Sequence, residues 1–130
     1  MPKAGDSYQV TLHKAHMEWG AHRHTNTRGI VFGEGYFQIP ASVARDLEIY
    51  NSNNEHANNI YTCSSSDGFL NNVSLKACGC SHKGGIHAKQ FEGNGNLQTL
   101  GTWYDQVGAR EGDEIKLTWT SSTNILVTKL

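Results

Sequence analysis

Apolar residues recur at two different spacings along this chain, and the spacing switches from segment to segment. Tyr8, Val10 and Leu12 alternate with polar residues, which predicts a first strand with one face turned to a core. Ile30, Val31 and Phe32 start another, which Gly33-Glu34-Gly35 bends before Tyr36–Ile39 resumes it. Pro40 follows; its ring holds φ and its nitrogen has no hydrogen to donate, so it suits the opening of a helix. Val43, Ala44 and Leu47 then share one helical face, while Arg45, Asp46 and Glu48 point to water. Ile60–Ser64, the alternating Val73, Leu75 and Ala77, and Ile86–Phe91 read as further strands, with a turn at Ser65-Ser66-Asp67-Gly68. Leu97–Val107 reads as a second short helix, although Gly101 costs it ~1 kcal/mol relative to Ala. Glu111-Gly112-Asp113 is a turn, and Glu114–Thr120 with Asn124–Thr128 forms a closing hairpin.

Each half therefore runs strand, helix, strand. The expected fold is mainly β, an open barrel of about seven to eight strands with two short helices at its ends. Two segments interrupt the periodicity. Lys14–Gly29 has no apolar period and carries His16, Trp19, His22, Arg23, His24, Asn26, Thr27 and Arg28; Cys78–Gly85 is equally irregular. Both are expected to be exposed arms between strands. Asn51–Asn59 is a polar loop.

At 130 residues the chain suits a single domain, taken as 1–130. Lys and Arg number 11 against 12 Asp and Glu, so a nucleic-acid role would need the cations gathered on one face. No apolar run approaches the ~18 residues of a membrane span, and Met1–Asp6 lacks the apolar core of a secretory signal, so a cytoplasmic address is expected. Three cysteines, Cys63, Cys78 and Cys80, cannot all pair within one chain, and reduced thiols are the simplest reading.

The two arms supply the residue types that hydrogen-bond phosphates and base edges. His22, Arg23, His24, Asn26, Thr27 and Arg28 come from the first, Ser81, His82 and Lys83 from the second, and Lys89 with Gln90 from the strand beyond it. Solvated loops of the same composition are the bland alternative. Cys63, Cys78, Cys80, His82 and His87 cluster in sequence, yet Cys78-Gly79-Cys80 lacks the two-to-four-residue gap of a zinc knuckle, so neither metal nor cofactor is expected. Gly-x-Ser-x-Gly, His-Glu-x-x-His and a phosphate-cradling loop are all missing, so the domain is expected to be non-catalytic. Trp103 and Trp119 have core periodicity.

Three short patterns, Phe37-x-Ile39-Pro40-x-x-x-Ala44-x-x-Leu47, Leu100-Gly101-x-Trp103-Tyr104 and Gly112-Asp113-Glu114-Ile115, together resemble the DNA-binding pseudobarrel superfamily. That fold is shared by plant transcription-factor DNA-binding domains and effector domains of restriction endonucleases, and the likeness covers roughly residues 8–130. Within it the chain is most similar to the sulfur-binding domains of modification-dependent restriction enzymes. The resemblance implies a module for double-stranded, phosphorothioate-modified DNA, with two arms in the major groove and a nuclease on a separate domain or chain. It also implies an apolar sulfur pocket built on Pro40, Ile39 and Val43, with Arg23 or Arg28 beside it. Ile39 stands where the family has an aromatic, and Tyr36 is the ring that would replace it. Sequence-specific or methyl-sensitive DNA binding is the alternative within the fold; a zinc-stabilised protein-interaction domain and a sugar- or small-ligand-binding barrel are alternatives outside it.

Overall fold

Alternation alone makes the first strand: in Ser7–Thr11 (β1) Tyr8 and Val10 turn inward and their neighbours outward. The computed structural model describes residues 2–17, 35–80 and 83–130. Its chain continues through a single helical turn at Lys14–Met17 (α1), the short strand Phe37–Gln38 (β2) and the helix Ala41–Asp46 (α2). Ile60–Ser65 (β3), Val73–Cys78 (β4) and Gln90–Gly93 (β5) follow, then the helix Thr99–Gln106 (α3) and the hairpin of Glu114–Trp119 (β6) and Asn124–Lys129 (β7).

The strands form one seven-stranded sheet in the order β1-β6-β7-β3-β4-β5-β2, antiparallel except where β3 meets β7. The sheet curls into a nearly closed barrel, so the mainly β architecture holds. Across the gap between the two edge strands, the Tyr8 hydroxyl donates to the Gln38 carbonyl at 3.0 Å. A side chain thus links the edges where a backbone ladder does not.

Inside, Trp103, Trp119, Tyr61, Phe37 and Phe91 are the largest fully buried side chains. Phe37 meets Trp103 edge-on at 5.7 Å and Tyr104 at 5.9 Å, and Tyr61 meets Phe91 at 5.4 Å, the tilted geometries that ring quadrupoles favour. Two polar tips have partners, Trp103 Nε1 donating to Asp67 Oδ1 at 3.2 Å and the Tyr104 hydroxyl to the Tyr36 carbonyl at 2.7 Å, while Trp119 Nε1 is buried with no partner among the described residues. A Cβ on Gly35 would lie 3.0 Å from both Gly101 N and the His16 carbonyl oxygen, so the chain at Gly35 passes against the α3 backbone where a side chain on Gly35 has no room.

Two expectations change. The strand expected over Ile86–Phe91 begins only at Gln90, because the preceding backbone groups are split among several segments: Ala88 N donates to Ile49 O at 3.0 Å, Lys89 N to Cys78 O at the end of β4 at 3.1 Å, and Lys89 O accepts from Ile39 N at 2.9 Å. The first arm does not begin as exposed loop either. Lys14–Met17 is helical, and His16 is buried while Met17 packs on the core. Ile30–Phe32 and Trp19 lie outside the described residues. Among the described residues no helix is long and apolar enough to cross a membrane.

Candidate functional site

Pro40 sits at the N-cap of α2 with φ −57° and ψ 143°, an extended conformation that turns the chain out of β2 and into the helix. Its carbonyl accepts from Ala44 N at 3.0 Å, and Ala44 is the one residue of α2 that is fully buried. Val43 and the C-capping Leu47 pack against the core but are only partly buried, and space remains beside the helix. The space left over is a cleft of about 650 Å³. Tyr36, Gln38, Ile39 and Pro40 line it from one side together with Ala41 and Arg45 of α2; His87, Ala88, Lys89 and Gln90 line the other.

The register of the sheet brings these walls together. Gln38 pairs with Gln90 and Phe37 with Phe91. The pleat therefore sends both phenylalanines to the core and both glutamines to the cleft side. Tyr50 pairs with His87 as an isolated bridge, and their rings stack at 5.3 Å. On the helix, Ala41 and Arg45 are one turn apart and so share the open face. Arg45 is exposed, with Nε 3.8 Å from Asp46 Oδ1.

Behind the second wall stands a buried amide. Asn51 Nδ2 donates to Gly79 O at 2.7 Å, to Gly85 O at 2.9 Å and, more weakly, toward His87 O at 3.4 Å, while its Oδ1 accepts from Asn53 N at 2.9 Å. Asn53 Nδ2 adds a second bond to Gly85 O at 2.8 Å. Gly79 and Gly85 bracket most of the second irregular segment, so one side chain ties its two ends together.

Behind the first wall, His16 meets Tyr36 edge-on at 5.1 Å and His13 at 5.3 Å, and its Nδ1 accepts from His13 N at 3.2 Å. Burial, with His13 adding to it, lowers the His16 pKa to about 4. Burial raises the Tyr36 phenol above its ordinary value. Two thiols, Cys63 and Cys78, are equally unready for chemistry. Burial pushes Cys63 up to about 12, and burial with the Glu92 carboxylate does the same to Cys78. Among the described residues no group of three His, Cys, Asp or Glu is placed to hold a metal ion.

Of the residues singled out from sequence for DNA or sulfur, Tyr36, Ile39, Pro40, Lys89 and Gln90 meet at this cleft. Val43 does not. It packs against the core, since it lies two residues and about 200° round the helix from the cleft-lining Ala41. Lys83 is exposed beside Gly84 and is not part of the lining. His22, Arg23, His24, Asn26, Thr27, Arg28, Ser81 and His82 lie outside the described residues. Arg45 and Gln38 were missed, and His87 was weighed only as a metal ligand. Arg45 had a signal, being one turn from Ala41 at a prolyl helix start; a place for Gln38 and His87 in one cleft had none without knowledge of the strand pairing. Comparison with protein-family models, with curated proteins and with solved structures finds no match.

Proposed function

We propose that this chain is a double-stranded DNA recognition module that reads a phosphorothioate linkage and targets a modification-dependent restriction system. Its nuclease would reside on a separate domain or chain. The observation that carries the reading is the cleft in which the ring of Pro40 and the methyl of Ala41 stand beside the cations Arg45 and Lys89. A backbone linkage bearing sulfur has one soft, weakly hydrated atom among charged oxygens. Apolar carbon suits the sulfur, and the guanidinium and ammonium suit the remaining oxygen and the neighbouring phosphates. Discrimination follows from oxygen's loss: pressed against carbon without a donor, it gives up water at a cost of ~1–3 kcal/mol.

The test is a paired retardation assay at low ionic strength, using duplexes identical but for one sulfur. The sulfur-bearing duplex is expected to bind more tightly by roughly tenfold, the equivalent of ~1.4 kcal/mol. Pro40→Gly is expected to abolish that preference while leaving binding to plain duplex in place. Equal binding of both duplexes by the unaltered protein would instead favour sequence-specific or methyl-sensitive recognition, and retention of neither would end the DNA reading.

A further inference from the structure

Lys89 is an exposed, long side chain on an irregular stretch, yet its path is constrained along its whole stem. Its backbone is pinned on both sides, N–H to Cys78 O and carbonyl to Ile39 N. Its methylenes then lie directly over Gly79. A Cβ built on Gly79 would stand 2.9 Å from Lys89 Cγ, 3.1 Å from Cε and 3.4 Å from Cδ. The closest of these is near the root of the side chain, where no small swing of the tip relieves the clash. Gly79 is itself held, in a left-handed conformation with φ +75°, by the bond that its carbonyl accepts from Asn51. A bare backbone groove, fastened by a buried amide, thus holds the stem of a lysine that lines the Pro40 cleft.

We infer that Gly79 is a positioning residue that aims Lys89 at the phosphate next to the recognised linkage; the inference rests on the DNA reading above. The fold supplies its own control. Gly84, on the same segment, has nearly the same backbone, φ +77°, but nothing lies within 4 Å of where its Cβ would go. Gly79→Ala and Gly84→Ala therefore incur similar left-handed strain, and only the first displaces Lys89.

Affinity for a duplex carrying one phosphorothioate is expected to fall roughly tenfold in Lys89→Ala, the loss of one charge-assisted contact. Gly79→Ala is expected to match it, Gly84→Ala to stay near the unaltered protein, and Gly79→Ala in the Lys89→Ala background to add nothing. The slope of log affinity against log salt should drop by about 0.9 in the first two variants and not in the third. Equal losses in the two glycine variants, or additive losses in the double variant, would overturn the assignment. Nuclear Overhauser contacts between Lys89 methylenes and Gly79 α-protons read the groove in the free protein. They should be strong in the unaltered chain and in Gly84→Ala and lost in Gly79→Ala, and their absence from the unaltered chain refutes the groove even if DNA binds. Failure to bind any duplex with those contacts intact would refute the DNA role and leave the groove standing, so the two failures are told apart.

Discussion

The two strand–helix units of this barrel begin alike and end differently. Phe37–Gln38 and Gln90–Gly93 pair antiparallel, each is followed by a short helix, and each contributes a phenylalanine to the core. In the second unit the helix drives Leu100, Trp103 and Tyr104 fully into the barrel, and the glycine crossing of Gly101 with Gly35 brings the backbones close. In the first, Ala44 is the one fully buried residue of the helix, and a cleft opens beside it. One motif, packed with indole and phenol, makes a plug; packed with a methyl group and a partly buried Val43, it leaves a cleft. On the proposed reading, stability falls to the second unit and recognition to the first.

The largest effect that would sharpen this contrast is on stability. Trp103→Ala empties a fully buried indole site, so a loss of ~3–5 kcal/mol is expected from urea unfolding. Pro40→Gly in the same assay should lose far less, because Pro40 is only partly buried and no side chain caps that helix. Comparable losses at the two positions would erase the distinction between plug and site.

Next comes the wall behind the cleft. Asn51→Leu keeps the branched shape but removes both amide donors, leaving the Gly79 carbonyl without its side-chain partner while Gly85 O keeps the Asn53 amide, at a cost of roughly 1–3 kcal/mol. Hydrogen exchange should show protection lost first around residues 79–89, while the α3 amides keep theirs until global unfolding. A uniform loss across the barrel would mean that the amide serves the whole core and not the cleft wall.

The contrast also has a pH signature. His16 packs behind Tyr36, and its folded pKa of about 4 lies below the 6.5 of the unfolded chain. Above pH 6.5 both states hold a neutral ring and the group contributes no slope. As pH falls from 6.5 toward 4 the unfolded chain takes up a proton that the folded one resists, so stability declines; below about 4 this contribution levels off. A shift of that size has a ceiling of ~3 kcal/mol, and movement of the exposed His13 beside it makes about 2 kcal/mol the expected loss. His16→Gln should flatten the curve between pH 6.5 and 4 in chemical unfolding; an unchanged slope would place the titrating group elsewhere.

What was legible in the sequence was local. The alternation of Tyr8 and Val10, the prolyl start of the first helix, the closing hairpin and the burial of Trp103 and Trp119 all follow from neighbours a few residues apart. The candidate site was half legible for the same reason. Tyr36, Ile39 and Pro40 are consecutive features of one motif, but their meeting with His87 depends on β2 pairing with β5, a long-range contact that no spacing reveals. Asn51 was hidden by its company. In a run of Asn, Ser and Glu it reads as solvent-facing loop, and only the fold shows carbonyls from a distant segment converging on its amide. His16 was read as arm for want of periodicity, and a single helical turn is too short to display any.

Arg45 gives the smallest effect on stability and the most discriminating one for the comparison. Its side chain is 68% exposed and its pairing with Asp46 at 3.8 Å is a surface contact, so Arg45→Ala should change unfolding free energy by no more than about 0.5 kcal/mol. On the proposed reading its value lies entirely in the cleft that it lines. Removing one cation from a phosphate should weaken plain and sulfur-bearing duplexes alike and lower the salt slope by about 0.9. Pro40→Gly should do the reverse, altering preference and leaving the slope. If Arg45→Ala instead reduced sulfur preference without touching the salt slope, the guanidinium stem would belong to the apolar cup, and the division between carbon that selects and charge that holds would have to be redrawn.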